Sequence, residues 1–285
     1  MISERIKAGE PTLSFEFFPP RDETTEAGLW ATLDAVIEAG ADFVSLTYGA
    51  GGSNQSKSLE IISGMAPRVT TIGHLTAVGA TRENTIQVIR AFEAAGVASV
   101  LALRGDSPKD DPDALENGDF KTALELVELV REVSALEVGV AAFPEVHPES
   151  PSLEHDAKVL KLKQDAGAIY AITQLFFGVR PYLDLIDASR AAGVTIPIIP
   201  GVMPINNAKQ VLRMAAMSGA AVPTELVEAL EAAVDEAEAR AIGMAYMIDL
   251  GKQLLDVGAP GLHVFTLNQS KAALELASAV GLVAR

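Results

Sequence analysis

Leu13-Ser14-Phe15-Glu16-Phe17-Phe18-Pro19-Pro20 is a short β-rich run with one carboxylate among aromatic side chains, stopped by two prolines. Phe and Leu suit a buried strand, and a proline pair continues neither a ladder nor a helix. A carboxylate near such a strand end, hemmed by Phe15, Phe17 and Phe18, is expected to be desolvated, which favours its neutral form and raises its pKa. A carboxyl of that kind is suited to general-acid work near neutral pH. The competing reading is a strand-edge Glu16 paired with a nearby cation such as Arg21. On this segment alone both stay open.

Seven further β-like runs follow: Phe43–Tyr48, Ile72–Thr76, Val100–Arg104, Val138–Phe143, Ile169–Phe176, Ile196–Val202 and Leu262–Leu267. A new run begins roughly every 30 residues, the spacing of a repeated βα unit in a parallel sheet. Between the runs, apolar residues recur at three- and four-residue spacing, as in Leu29, Leu33, Val36 and Ile37, or Ile86, Ile89 and Phe92. Gly40, Gly96, Gly167 and Gly193 each stand before a strand, where glycine supplies a left-handed helix cap. Eight units match a (β/α)8 TIM barrel, and residues 1–285 read as one domain. The longest interval, before the last strand, calls for an extra helix, and Pro223 to Leu255 has room for two. An open doubly wound sheet is the competing fold. The short strands and even spacing favour the barrel.

The bulk properties narrow the function. The chain has 285 residues, 49% of them hydrophobic, and its net charge is −16, which speaks against nucleic acid or an anionic membrane surface as a partner. An anionic ligand must find local cations, for which Arg21, Lys57, Arg104, Lys161 and Lys163 are candidates. The absence of cysteine removes disulfides, thiolate metal sites and cysteine nucleophiles, and fits a cytoplasmic protein. The N-terminus lacks the order of a signal peptide, and Pro197, Pro200 and Pro204 break the longest apolar stretch, so no membrane span is expected. A homo-oligomer stays open.

In a barrel, the working face lies at the C-terminal ends of the strands. This sequence crowds polar residues there: Glu16, Thr47-Tyr48, His74, Arg104-Gly105-Asp106, Glu145-Val146-His147, Thr173-Gln174, His263 and Thr266-Leu267-Asn268. Each also has a plainer reading. Gly49-Ala50-Gly51-Gly52-Ser53 is either a backbone nest for a ligand or a tight turn. His74 reads by default as a hydrogen-bonded core histidine. Arg104 and Asp106 either form an internal ion pair or serve an anion and a cationic intermediate. Glu145 and His147 fit no standard metal spacing, and no metal is expected.

Taken in order, several segments resemble the methylenetetrahydrofolate reductase family. They are Phe15-Glu16-Phe17-Phe18-Pro19-Pro20, Thr47-Tyr48-Gly49-Ala50-Gly51-Gly52-Ser53, His74-Leu75-Thr76 and Leu103-Arg104-Gly105-Asp106. They continue with Pro144-Glu145-Val146-His147-Pro148-Glu149, Ile172-Thr173-Gln174-Leu175-Phe176-Phe177, Pro200-Gly201-Val202-Met203-Pro204 and Thr266-Leu267-Asn268. The resemblance implies FAD-dependent reduction of 5,10-methylenetetrahydrofolate to 5-methyltetrahydrofolate, with NADH or NADPH as hydride source, feeding methionine synthesis. By position it implies Glu16 as the acid that opens the folate ring, and Asp106 as the charge favouring the iminium cation. Gln174 is implied to position pterin and nicotinamide, Thr47 to contact nicotinamide and Gln210 to touch folate. FAD contacts are implied at Tyr48, Ala50, His74, Arg104, Gly105, Asp106, Phe143, His147, Asp156 and Lys163.

Four departures from the family pattern accompany these matches. Phe143 stands where a tyrosine can contact FAD, and Val159 and Leu162 where Asn and Arg can reach its adenosine end. Gln269 replaces an arginine on the folate side. A lost neutral hydrogen bond is worth about 0.5–1.5 kcal/mol, so weakened FAD binding is expected. Two alternatives follow: a pterin-binding barrel running other one-carbon chemistry with little or no FAD, and a non-catalytic folate binder.

Overall fold

Side chains alternate across a strand, and in the first strand that alternation decides what faces the barrel axis. In β1 (Thr12–Phe17), Leu13, Phe15 and Phe17 pack outward against Leu29, Leu33 and Val36 of the helix Glu23–Glu38. Ser14 and Glu16 therefore turn inward. The computed structural model describes residues 1–7, 9–20, 22–47, 55–107 and 111–283. Among them the strands continue as β2 (Phe43–Leu46), β3 (Thr71–Thr76), β4 (Ser99–Leu103), β5 (Glu137–Ala142), β6 (Tyr170–Thr173), β7 (Ile198–Ile199), β8 (Gly201–Val202) and β9 (Gly261–Phe265).

Every pairing is parallel, and the order β7-β6-β5-β4-β3-β2-β1-β9-β8 brings the two ends of the sheet together. β7 and β8 are one run interrupted at Pro200, which has no N–H for the ladder. β7 bonds to β6 and β8 to β9, so the ring closes through that proline. The eight sequence runs thus become eight barrel staves, the seventh in two pieces. Between Pro223 and Leu255 lie the helix Thr224–Glu231 and most of the helix Glu236–Asp256, filling the long last interval. Gly40, Gly96, Gly167 and Gly193 all take the positive φ expected of them.

Two apolar layers hold the barrel. The larger lies between sheet and helices. The smaller fills the axis with Phe43, Ile72, Leu101, Tyr170, Ile172 and Ile199. Ile2, on the helix Ile2–Lys7, closes the axis from the N-terminal side, and Ser3 N–H donates to Glu137 at 3.2 Å. Gly139 is needed beside Tyr170, because a Cβ there would lie 2.2 Å from the tyrosine ring. With the stem plugged, the open end is the C-terminal rim. Among the described residues, no helix is long and apolar enough to cross a membrane.

Candidate active site

Glu16 sits one residue before the end of β1, and the last strand fixes its backbone. Thr266 Oγ1 donates to the Glu16 carbonyl at 2.7 Å, and the Asn268 amide bonds Phe18 in both directions at 2.8 and 3.0 Å. Holding this clamp, Leu267 and Asn268 adopt φ of 51° and 57°, a region that branched residues seldom enter. Such local strain is typical of a functional rim.

Glu16 as a residue is 7% exposed. Its Oε2 lies 3.4 Å from His263 Nε2 and 3.5 Å from His74 Nε2, and its Oε1 accepts from Thr47 Oγ1 at 3.4 Å. The aromatic cage expected from the sequence is thus replaced by two imidazoles and a hydroxyl, since Phe15 and Phe17 face the helices. The expected rise in pKa is corrected with it. Burial is the largest single influence and pushes the Glu16 carboxyl up, but charge on His74 and the hydrogen bonds from His263 and Thr47 together outweigh it. The carboxyl lies below its ordinary value of 4.5. His74, also buried, is pushed below 6.5 by desolvation, against the pull of Glu16. Its Nε2 has no hydrogen-bond partner, so the expected hydrogen-bonded core histidine is instead a donor or acceptor left open toward the site.

Beyond His74, β3 pairs with β4, whose end opens into a cavity of about 420 Å³. Arg104, Gly105 and Asp106 form one wall, following β4 directly, while Phe143 and His147 come from the loop after β5. Asp156 and Lys163 project from the helix Leu153–Asp165, and Gln174 follows β6. These eight sequence candidates share one cavity. Glu16, Thr47 and His74 form the neighbouring group described above and do not line it. Gln210 lies apart at the start of the helix Ala208–Ser218, its amide bonded to Asn206 N–H at 2.7 Å and to the Pro204 carbonyl at 3.3 Å. Tyr48, Ala50 and Arg21 lie outside the described residues, as does the glycine run 49–53.

The cavity wall sets two cations, Arg104 and Lys163, among the carboxylates of Asp106, Glu149 and Asp156. Lys163 is half-buried in its wall, and enclosure lowers the ammonium pKa to about 8, with Asp156 opposing. Arg104 forks onto Glu149, lies 3.8 Å from Asp106, and keeps a buried Nε without an acceptor. The other candidate cations are engaged elsewhere: Lys57 with Glu26 and Glu60, Lys161 with Asp165. His147 is held by its N–H donating to Asp156 at 2.8 Å and packs edge-on against Phe143 at 4.7 Å. The orphaned Arg104 Nε, with Lys163 on the same cavity wall, fits the donor set that a flavin dinucleotide requires, and the orphaned His74 Nε2 lies in the neighbouring group. Val159 lines the same cavity and supplies only apolar surface, while Leu162 is 55% exposed and does not line it. Gln269 lies at the start of the helix Ser270–Ala279, its N–H donating to the Thr266 carbonyl at 3.0 Å. Among the described residues, no group of acidic or imidazole side chains could hold a metal.

Sequence reading passed over the groups that govern Glu16 and Arg104. His263 was visible as a polar residue between Leu262 and Val264, and Glu149 as the end of the Pro144–Glu149 motif. Only tertiary pairing shows what each one touches.

The methylenetetrahydrofolate reductase family model matches residues 1–281. A 5,10-methylenetetrahydrofolate reductase of Escherichia coli K12 is 36% identical over 278 residues, covering 96% of this chain and 92% of the relative. Methylenetetrahydrofolate reductase (NADH) 1 of Arabidopsis thaliana is 36% identical over 301 residues, covering 99% of this chain and 51% of that longer protein. Among solved structures, an uncharacterized protein from Clostridium thermocellum that binds two copies of 5-methyl-5,6,7,8-tetrahydrofolic acid has a TM-score of 0.63. It is 16% identical and covers 98% of each chain, a likeness of fold.

Proposed function

The chain belongs to the methylenetetrahydrofolate reductase family, and on that premise we propose that it reduces 5,10-methylenetetrahydrofolate to 5-methyltetrahydrofolate, using FAD and NADH or NADPH, in the supply of methyl groups for methionine synthesis. The observation that carries this reading is the enclosed Glu16 carboxyl at the same rim as a cavity holding Arg104 and Lys163. FAD held there would supply the hydride-transfer chemistry between the nicotinamide and the folate one-carbon unit. Arg104 and Lys163 are the residues to hold its pyrophosphate, with Glu149 giving up the guanidinium to the phosphate oxygens. His74, Gly105, Phe143, His147 and Asp156 would complete the contacts.

Glu16 supplies the proton for the departing amine nitrogen of the folate ring. Without ligand its neighbours favour the carboxylate. A ring system laid over it removes the remaining exposure and strengthens the burial that already pushes its pKa up. That change works in the direction of the neutral carboxyl that the proposed transfer needs. Asp106 is exposed at the cavity mouth, where its charge can favour the iminium cation that ring opening produces. Gln174 Oε1 is engaged by Leu175 N–H at 2.8 Å, which leaves its amide nitrogen to orient pterin and nicotinamide in turn. Thr47, bonded to Glu16, is the candidate for contact with the nicotinamide, and Gln210 for contact with the folate if its amide turns outward.

Val159 and Phe143 withhold polar contacts from the flavin, so the as-purified protein is expected to carry less than one FAD. The test is anaerobic oxidation of NADH or NADPH by FAD-saturated protein, with and without methylenetetrahydrofolate. Folate-dependent oxidation supports the reading. A flavin that is never reduced, or is reduced without any response to folate, would sink it.

A further inference from the structure

The interior of a (β/α)8 barrel is ordinarily filled with branched aliphatic side chains. Beneath Glu16 this barrel is polar instead. Ser14 from β1, Ser45 from β2 and His263 from β9 are fully buried there. Buried polar groups destabilise a core unless each is paired, so their pairing is informative. Ser14 Oγ lies 2.8 Å from His263 Nδ1 and 3.3 Å from the Leu262 carbonyl. An ionised Glu16 carboxylate only accepts, so the nitrogen that bonds it, Nε2, carries the ring hydrogen. Nδ1 is then the acceptor and takes the Ser14 hydroxyl proton. Nε2 faces Glu16 Oε2 at 3.4 Å, with Ser45 Oγ at 3.3 Å beside it.

We propose that His263 is a positioning residue for the acid: its Nε2–H holds Glu16 Oε2 and so leaves the transferable proton on Oε1, the oxygen on the Thr47 side. In the transfer, the O–H bond at Oε1 breaks and an N–H bond forms on the departing amine nitrogen. The electron pair stays on the carboxylate, which the His263 bond then stabilises, and no bond within His263 changes. The titratable groups facing the His263 ring, among the described residues, are Glu16 on β1 and His74 on β3. Phe43 stacks on the ring at 6.4 Å and Phe265 meets it edge-on at 5.7 Å, so its other neighbours are uncharged. His74 cannot take the same role, because its Nε2 reaches Oε2 only at 3.5 Å and forms no hydrogen bond.

The acid role of Glu16 rests on the reductase reading, but the arrangement around it can be read independently. The chain has 4 histidines, so ring ¹⁵N spectra are simple. The expected spectrum shows His263 in the Nε2–H form, its signals moved by Glu16→Gln and its tautomers mixed by the near-isosteric Ser14→Ala. An Nδ1–H ring, or signals indifferent to Glu16→Gln, would overturn the proposal. In FAD-saturated protein, His263→Leu is expected to move the alkaline limb of the folate-dependent step to higher pH. Flavin reduction by NADH should stay as it was. His263→Gln, whose amide nitrogen can reach the place of Nε2, should restore the limb. An unmoved limb in the leucine variant, or equal loss of both steps in folded protein, counts against it. If wild-type protein reduces no folate, the reductase reading fails while the spectra still decide the positioning role.

Discussion

Glu16→Gln separates the two halves of the proposed reaction. Glutamine fills the same volume; its carbonyl oxygen can accept from His263 while its amide NH2 donates to the Thr47 hydroxyl, the two contacts being 3.4 Å each in the wild-type site. What it loses is the proton. A positioned general acid is worth about 10²–10⁴-fold in rate, which at 1.36 kcal/mol per tenfold is about 3–5 kcal/mol of barrier. All of that loss should fall on the step that reduces folate. Hydride transfer from NADH needs no proton from Glu16, so the flavin should still bleach at close to the wild-type rate. Stopped-flow absorbance under anaerobic conditions measures each step separately: NADH against oxidised protein, then methylenetetrahydrofolate against reduced protein. Because the substitution removes a charge from between two histidines, circular dichroism must confirm the fold before rates are compared. Equal slowing of both steps in folded protein would refute the assignment, as would a folate step within a few-fold of wild type.

Two further outcomes follow from the same geometry. Lys163→Met should weaken FAD, since a hydrogen bond to a charged group is worth about 1.5–3 kcal/mol, or roughly ten- to a hundredfold in Kd. Wild-type affinity should also fall as pH rises through about 8, where Lys163 loses its charge, with the variant flat over that range. Flavin-fluorescence titration reads both, and equal affinities throughout would exclude Lys163 from the site. Stability should fall on the acid side in two stages. Glu16 and His74 both have folded pKa values below their ordinary 4.5 and 6.5, so the unfolded chain takes up each proton first. The contribution of His74 is fully present above 6.5 and is lost as pH drops below it. That of Glu16 is fully present above 4.5 and is lost as pH falls through the lower folded value. Urea midpoints across pH should show both stages, with the lower one missing in Glu16→Gln. Superposable acid profiles would contradict the depressed carboxyl.

The barrel was legible because its signals are local. Strand-length apolar runs, glycines such as Gly96 that end helices, and a steady repeat are all written in consecutive residues. The split at Pro200 was legible in principle, from a proline inside a run, but its consequence depends on the partners of each half. The site was half legible. Which strand-end residues reach the rim follows from chain order, so Arg104, His147 and Gln174 fall together, while Phe143 and Lys163 were legible only through the family resemblance. What surrounds Glu16 does not follow from its sequence neighbours, because alternation sends Phe15 and Phe17 to the opposite face. His263 and His74 arrive from other strands, and their effect on the carboxyl reverses the expectation drawn from the aromatic run. The axial plug by Ile2 has no signal in its own short helix, since one buried isoleucine has no period to read.

The bond between His263 and Glu16 spans 247 residues, which has a consequence for synthesis. During translation the carboxylate is made 247 residues before its imidazole partner. Until β9 docks beside β1, Glu16 has His74 and Thr47 but not His263, on a sheet that is not yet closed, and closing contacts of such long sequence separation slows folding. A chain cut short by a premature stop therefore yields no partly competent reductase, only inert protein for proteolysis to clear.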